Sequence, residues 1–289
     1  MAAVGGTKVN PKKFEKSQIP LYLYLIPVAI FMGAPILYIF NHAFKPMDEL
    51  YAFPPKFFVD HPSGINFQNL MQTAAGSSIP ISRYIFNSLV VTVAVVLLSI
   101  IISTMAGFAL SKMKFKLNKA VFEVNNLALM FVATAVTIPR YLTINFVGIL
   151  DTYWAHIMPL IAMPVCLFLI KQFIDQVPNS LLEAAQLEGA NAFTVYRKIV
   201  IPMIKPAIAT GAILTFQAVW NNVETSNLFT SSEGIRTLAF YMNTLSGVGT
   251  VQGQGMAAAA ALIMFLPNLM LFVIMQSNVM NTMAHSGLK

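Results

Sequence analysis

Four histidines, one cysteine and eleven acidic residues are the groups with which this 289-residue chain could do covalent or metal chemistry. His42, His61, His156 and His285 are far apart, and no H-x-x-x-H spacing occurs, so a metal site is not expected. Cys166 sits in the apolar run Met163–Ile170 and has no second cysteine to pair with; it reads as a small packed hydrophobe. No G-x-x-x-x-G-K-[ST] cradle for phosphates is present. The glycines Gly247, Gly249, Gly253 and Gly255 lack the accompanying lysine and read as an external loop leading into the last apolar run. No nucleophile is paired with a base. The expectation is a non-enzyme with no catalytic, metal-binding or cofactor-binding residues of its own.

Polar side chains inside apolar runs are the remaining candidates, because burying them in hydrocarbon is costly and often functional. Asn125, Asn126, Thr134, Asn221, Asn222 and Glu224 form this group. Were the chain a transporter, Asn126, Thr134, Asn221, Asn222 and Glu224 would be the candidates for its translocation pathway. The competing reading is interhelical hydrogen bonding for the Asn and Thr residues, and a place at the outer interface for Glu224.

The elements that must position them follow from composition. Hydrophobic residues make up 57% of the chain and charged residues 10%, against about 25% charged in a soluble domain. Such a chain cannot cover a water-exposed globule. Apolar runs matched to the roughly 20 residues that cross hydrocarbon predict six spans: Leu21–Phe40, Ile85–Leu110, about Ala120–Pro139, about Trp154–Ile170, about Met203–Val223 and about Met256–Gln276. Leu21–Phe40 is too long for a signal-peptide core and lacks a small-residue cleavage site, so it reads as a retained span. The expected class is an all-α polytopic membrane protein. It has an N-terminal tail (1–20), a transmembrane domain (21–278) and a C-terminal tail (279–289).

Lysine and arginine set the orientation. With the N-terminus inside, thirteen of the 18 fall on the cytoplasmic side, including Lys112, Lys114, Lys116 and Lys119; only Lys45, Lys56, Arg83, Arg140 and Arg236 fall outside. Both termini are therefore expected in the cytoplasm. The net charge of +7 is a topology signal, with no excess calling for nucleic acid. The outer segment 41–84, with five prolines, reads as a folded external cap.

The segment 171–205 between spans four and five is the most informative. Glu183, Glu188, Arg197 and Lys198 lie too close together for a span, since each charge costs about 2.5–3.5 kcal/mol at the bilayer centre. Ser180 and Glu183 read as a capping box that starts a helix, Gly189 as its stop, and Asn191 as the cap of a second helix, Ala192–Val200. The predicted product is a helix–turn–helix elbow in the cytoplasm. Ala184 and Ala185 give it a low-relief surface that another protein's wall could approach.

Glu183-Ala184-Ala185, then Gly189, then Ile199-Val200-Ile201-Pro202, resembles the EAA loop of ABC importer permeases, with a mild departure from the usual I-x-L-P ending. Phe44–Phe57 with Asn66-Phe67, Ile138–Ala162 and Thr215–Asn221 follow in the order of the maltose-type carbohydrate-uptake branch, so the likeness runs from roughly residue 20 to 280. The resemblance implies the permease subunit of a type I importer in a prokaryotic plasma membrane. Its partners would be a second permease, two cytosolic ATPase subunits that bind ATP and Mg, and an extracellular solute-binding protein; its substrate would be a sugar or oligosaccharide. Glu183, Ala184, Ala185 and Gly189 would couple to the ATPase, Glu183 as an anchor and Gly189 through the turn. Where that branch has an acidic residue after Trp-Asn, this chain has Asn222. An ion-coupled carrier working alone would need an ionisable relay, for which only Glu123 and Glu224 are placed, both near span ends. An importer of glycerol-phosphate-like or polyol compounds is the alternative within the family.

Overall fold

A computed structural model describes residues 18–75, 79–246 and 251–286, and every regular element among them is helical. The lysines of the N-terminal tail, Lys289, Gly247 and Gly249 lie outside the described residues. In chain order the helices are α1 (Ile19–Phe44), α2 (Met47–Tyr51), α3 (Ile65–Ala75), α4 (Ile81–Lys112), α5 (Asn118–Met130), α6 (Thr137–Val147), α7 (Tyr153–Ile161), α8 (Pro164–Asp175), α9 (Asn179–Leu187), α10 (Ala192–Val195), α11 (Ile201–Met203), α12 (Lys205–Trp220), α13 (Glu224–Phe229), α14 (Leu238–Ser246) and α15 (Val251–Ser286). Short 3-10 turns occupy Ala133–Val136 and Glu233–Ile235, and a π-helical turn joins α10 to α11.

Among the described residues three helices are long and apolar enough to cross a membrane alone: α1, α4 and the stretch Gly253–Gln276 of α15. Three bent pairs bring the number to six if each pair is one span. The third expected span, Ala120–Pro139, is not one rod. α5 stops at Met130, the chain turns extended at Phe131 and Val132, and the pair formed with the segment Thr134–Val147 is bent by 110°. Pro139 falls in the first turn of α6, where a missing N–H costs nothing. The fourth span bends by 41° at Ala162–Met163, just before Pro164 opens α8. Before the fifth, Ile204 separates Ala192–Met203 from α12 at 79°.

One further expectation is corrected. Gly253 and Gly255 are not in a loop; both lie in the first turns of α15. A Cβ on Gly255 would stand 2.5 Å from Asn66 Oδ1 and 2.9 Å from Leu50 Cδ1, so close approach, not turn geometry, requires glycine there. Residues 279–286, expected in a C-terminal tail, prolong α15.

The chain forms two compact units: Met1–Leu70 with Val248–Leu262, and Met71–Gly247 with Ile263–Lys289. In the first, α1 is apolar and exposed almost all round, and its C-terminus is tied down by the segment that follows. Asn66, fully buried, donates through Nδ2 to the carbonyls of Ala43 (3.0 Å) and Lys45 (2.8 Å), which the helix end leaves without partners. Asn41 Oδ1 accepts from Val59 N–H (3.2 Å), and Glu49 accepts from the N–H groups of Asp60 (3.0 Å) and His61 (2.7 Å). The buried Lys45 ammonium donates to the Lys56 carbonyl.

In the second unit, α4 packs most extensively on α8 and α12. Small residues allow it. Gly107 lies against Ile170 and Ile174, Gly211 against Cys166, and Ser99 and Ser103 of α4 are buried in the same layer. One apolar cluster runs from this layer (Phe108, Cys166, Ile170, Ile174) into the elbow (Leu182, Val195, Val200).

Candidate functional site

The elbow is built from α9 to α11. Its helix does not start with the expected capping box. Pro178, in extended backbone, occupies the cap position, and Ser180 lies inside the first turn, where its hydroxyl makes no cap bond. Pro178 follows the turn that closes α8, and the helix begins at Asn179, two residues before the Leu181 start that a Ser180 cap would give. The far end follows the reading of the sequence. Gly189 has φ +83°; its N–H donates to Gln186 O (3.0 Å), and Ala190 N–H donates to Ala185 O (2.9 Å). This double bond is a Schellman stop, which a glycine satisfies without a Cβ penalty. Asn191 Oδ1 then accepts from Thr194 N–H (2.8 Å) and caps the second helix.

The second helix runs past the expected Val200 to Met203 and carries Pro202 inside it. A proline ring collides with the carbonyl four residues earlier in a regular α-helix. Here the turn before it is widened, with Ile201 N–H reaching back to Tyr196 O in π-helical spacing. Tyr196, on that turn, places its hydroxyl 2.8 Å from Thr104 Oγ1 of α4 and its ring 5.6 Å from Phe108.

Burial of Leu182, Val195 and Val200 fixes one face of the elbow to the spans, each contributing about 1.5–3 kcal/mol. The opposite face is bare. Glu183 and Ala184 are exposed, Ala185 is partly buried, and Leu187 and Phe193 are 91% and 62% exposed. The low-relief alanines were legible in the sequence; the two large apolar side chains beside them were not singled out.

The structure divides the polar candidates of the apolar runs. Asn125 donates to Pro164 O (3.2 Å), an interhelical bond. Asn126 Oδ1 is buried without a hydrogen-bond partner. Thr134 is exposed in the 3-10 turn. Asn222 Oδ1 accepts from the backbone N–H and hydroxyl of Thr225 (3.0 and 2.9 Å), which starts α13 rather than leaving the group free for a solute. Asn221 is exposed beside Asn268, whose Nδ2 donates to Met264 O (3.0 Å). Trp220 Nε1 donates to the same carbonyl (3.1 Å), and its ring stacks on Phe216 at 5.6 Å.

Glu224 is paired. Arg140 Nη1 lies 3.1 Å from both of its carboxylate oxygens, and Thr137 donates at 3.3 Å. The two side chains are 25% and 28% exposed. In the sequence Arg140 reads only as a topology charge. Neither it nor Asn268 carries a local signal, since their partners are 84 and 47 residues away.

A third cluster lies in the segment 226–238. Asp151, at φ +58°, accepts from the N–H groups of Ser231 and Ser232 (2.9 and 2.8 Å) and from the Ser232 hydroxyl (2.5 Å). Those Ser232 bonds, the Ser231 N–H and the nearby Arg236 hold its carboxyl below the usual aspartate value. Asn87 donates to the carbonyls of Gly234 and Arg236 (both 2.9 Å), and Ser88 Oγ accepts from Leu238 N–H (2.8 Å). His156 bridges Thr225 (2.8 Å) and Ile235 O (3.0 Å).

Residues 19–279 match the family described as binding-protein-dependent transport system inner membrane component. The chain belongs to this family. It is 31% identical over 277 residues to the "Probable ABC transporter permease protein YurM" of Bacillus subtilis (strain 168), covering 93% of this chain and 86% of that protein. It is 25% identical over 278 residues to the arabinooligosaccharides transport system permease protein AraQ of the same organism, with 96% and 98% covered. In fold it is similar to a chain of a bacterial ABC transporter involved in the import of the acidic polysaccharide alginate. The TM-score there is 0.78 at 19% identity, with 92% of this chain and 99% of that chain covered. The protein is thus a multi-pass membrane permease of the ABC importer type, the membrane component of its system and not its ATPase.

Proposed function

We propose that this permease imports a sugar or oligosaccharide, with its elbow seated on a cytosolic ATPase subunit. The observation that carries the docking is the bare outer face of the elbow. Leu187 and Phe193 present large apolar surface beside Glu183 and Ala184, in a segment too charged to enter the bilayer. Apolar side chains exposed outside the membrane and rimmed by polar residues mark a protein contact. Gly189 sets the angle between the two helices, so its Schellman turn fixes what the ATPase meets.

The working assembly is this chain, a second permease, two ATPase subunits that hold ATP and Mg, and an extracellular solute-binding protein. Both termini lie in the cytoplasm of a prokaryotic cell. The arabinooligosaccharide permease among the relatives supports a carbohydrate substrate. Asn126, Thr134 and Asn221 with its neighbour Asn268, the stacked Phe216–Trp220 pair and the Arg140–Glu224 pair are the groups offered to it from this subunit.

The test uses the chain's chemistry. Cys166 is the sole cysteine and is fully buried, so Leu187→Cys adds a single accessible thiol. In inverted membrane vesicles of the assembled transporter it is expected to crosslink to the ATPase subunit. Labelling of that thiol by a membrane-impermeant maleimide added to intact cells would overturn the reading.

A further inference from the structure

Within residues 71–247 two of the membrane-crossing elements are broken, α5–α6 at 110° and α7–α8 at 41°, and α12 meets the elbow at a 79° bend. α4 is unbroken. Its 32 residues contain no proline or break, so it is a rod of about 48 Å. Both of its ends grip irregular backbone through side chains.

At the elbow end, Lys112 Nζ donates to Val177 O (2.7 Å) and Asn179 Oδ1 (2.9 Å), at the base of α9. Ser111 donates to Lys171 O (3.3 Å), and Thr104 meets Tyr196 at the π-helical turn. At the opposite end, Asn87 donates to Gly234 O and Arg236 O (both 2.9 Å), Arg83 Nε donates to Gly234 O (3.0 Å), and Ser88 accepts from Leu238 N–H (2.8 Å). Asn87 is fully buried and fully used, its Oδ1 taking the Tyr153 hydroxyl at 2.6 Å.

We infer that Asn87 and Lys112 are positioning residues that clamp the two ends of α4, making it the strut through which the 234–238 segment and the elbow report each other's position. The inference rests on the proposed function: the elbow meets the ATPase, and the 234–238 segment lies on the side that receives the binding protein. A broken span can absorb a displacement at its bend. An unbroken helix can do so only by opening its own hydrogen bonds, so motion at one clamp reaches the other. Among the described elements, spans four and five enter and leave the elbow through bends or loops, which leaves α4 as the stiff connection.

The test is a double-mutant cycle on the assembled transporter in proteoliposomes, comparing ATP hydrolysis with and without loaded binding protein. Asn87→Ala and Lys112→Met are each expected to leave basal hydrolysis intact and to reduce stimulation by the binding protein at least about threefold. The two sites are about 37 Å apart along the helix, a distance at which independent effects multiply. If one strut carries the signal, the double variant is no worse than the poorer single one, and Lys112→Arg restores stimulation. Multiplying effects, or stimulation unchanged in the single variants, would overturn the inference. Should Asn87→Ala fail to assemble, Arg83→Gln completes the same cycle from the surface. A wild-type assembly that is not stimulated at all would instead count against the proposed function.

Discussion

Arg140 holds Glu224 with one guanidinium nitrogen, 3.1 Å from each carboxylate oxygen and 84 residues away in the chain. The contact joins α6, the second half of the broken third span, to α13. Removing one partner strands the other's charge, whereas removing both leaves only a packing change.

Glu224→Leu is therefore expected to lower the stability of the purified permease by about 2 kcal/mol, less than for a fully buried pair because both side chains keep some solvent. Arg140→Met with Glu224→Leu is expected to recover most of that loss. Thermal unfolding in detergent measures it. A double variant as unstable as the sum of the two singles would show that the pair is not energetically coupled.

Gly189 separates conformational cost from steric cost. A Cβ there would meet nothing within 4 Å, but φ is +83°. Gly189→Ala is expected to cost about 1 kcal/mol through the left-handed backbone alone, with transport reduced but present. Gly189→Pro cannot adopt the angle and also removes the N–H that bonds Gln186 O. The expected outcome is normal membrane insertion with transport lost, read by surface accessibility and solute uptake in the same cells. Loss of insertion would contradict a role confined to the elbow.

Asp151 gives the 231–232 turn a pH dependence with a defined sign. Its carboxyl titrates below the usual aspartate value because the ionised form accepts from Ser232 and Ser231. Its stabilisation is therefore complete above the unfolded value of 3.8 and is lost as pH falls through the lower folded value. Hydrogen exchange at the Ser231 and Ser232 amides, corrected for intrinsic rates, is expected to accelerate on acidification below about pH 4. In Asp151→Asn the exchange is faster at neutral pH, and this acid step is absent.

The contrast between what was legible and what was not follows the range of the interactions. α1, α4 and α15 are continuous apolar runs, and a run declares itself residue by residue. The elbow's turn was legible because Gly189 and Asn191 act on backbone groups three to five residues away. Ser180 reads as a cap but is not one, because Pro178, two residues earlier, takes the cap position; the choice lies between two local signals. The 110° break after Met130 occurs at Phe131 and Val132, apolar residues with no turn chemistry, so nothing in the run marked it. The same holds for Asn66 and Gly255. One looked like a motif residue and the other like loop glycine, but their meaning is mutual contact across 189 positions of sequence. Sites assembled from distant segments were closed to a reading that sees spacing alone.

Gly211 and Cys166 put that last point to a quantitative test. A Cβ on Gly211 would lie 2.8 Å from Cys166 Sγ and 3.4 Å from Ile100 Cδ1, both in the fully packed layer where α8 and α4 meet α12. Gly211→Ala must therefore push the helices apart, at a cost of about 1–3 kcal/mol. Cys166→Ala removes the sulfur and leaves a small void, costing about 1 kcal/mol. Together the added methyl occupies the space that the sulfur vacates, and the volume in the layer is nearly conserved. The double variant is expected to unfold within about 1 kcal/mol of the wild type rather than at the sum of the two losses. Close approach of α12 to α8 would then be the reason the fifth span has glycine at this position. Additive losses would mean that the helix has room to move and that Gly211 serves flexibility instead.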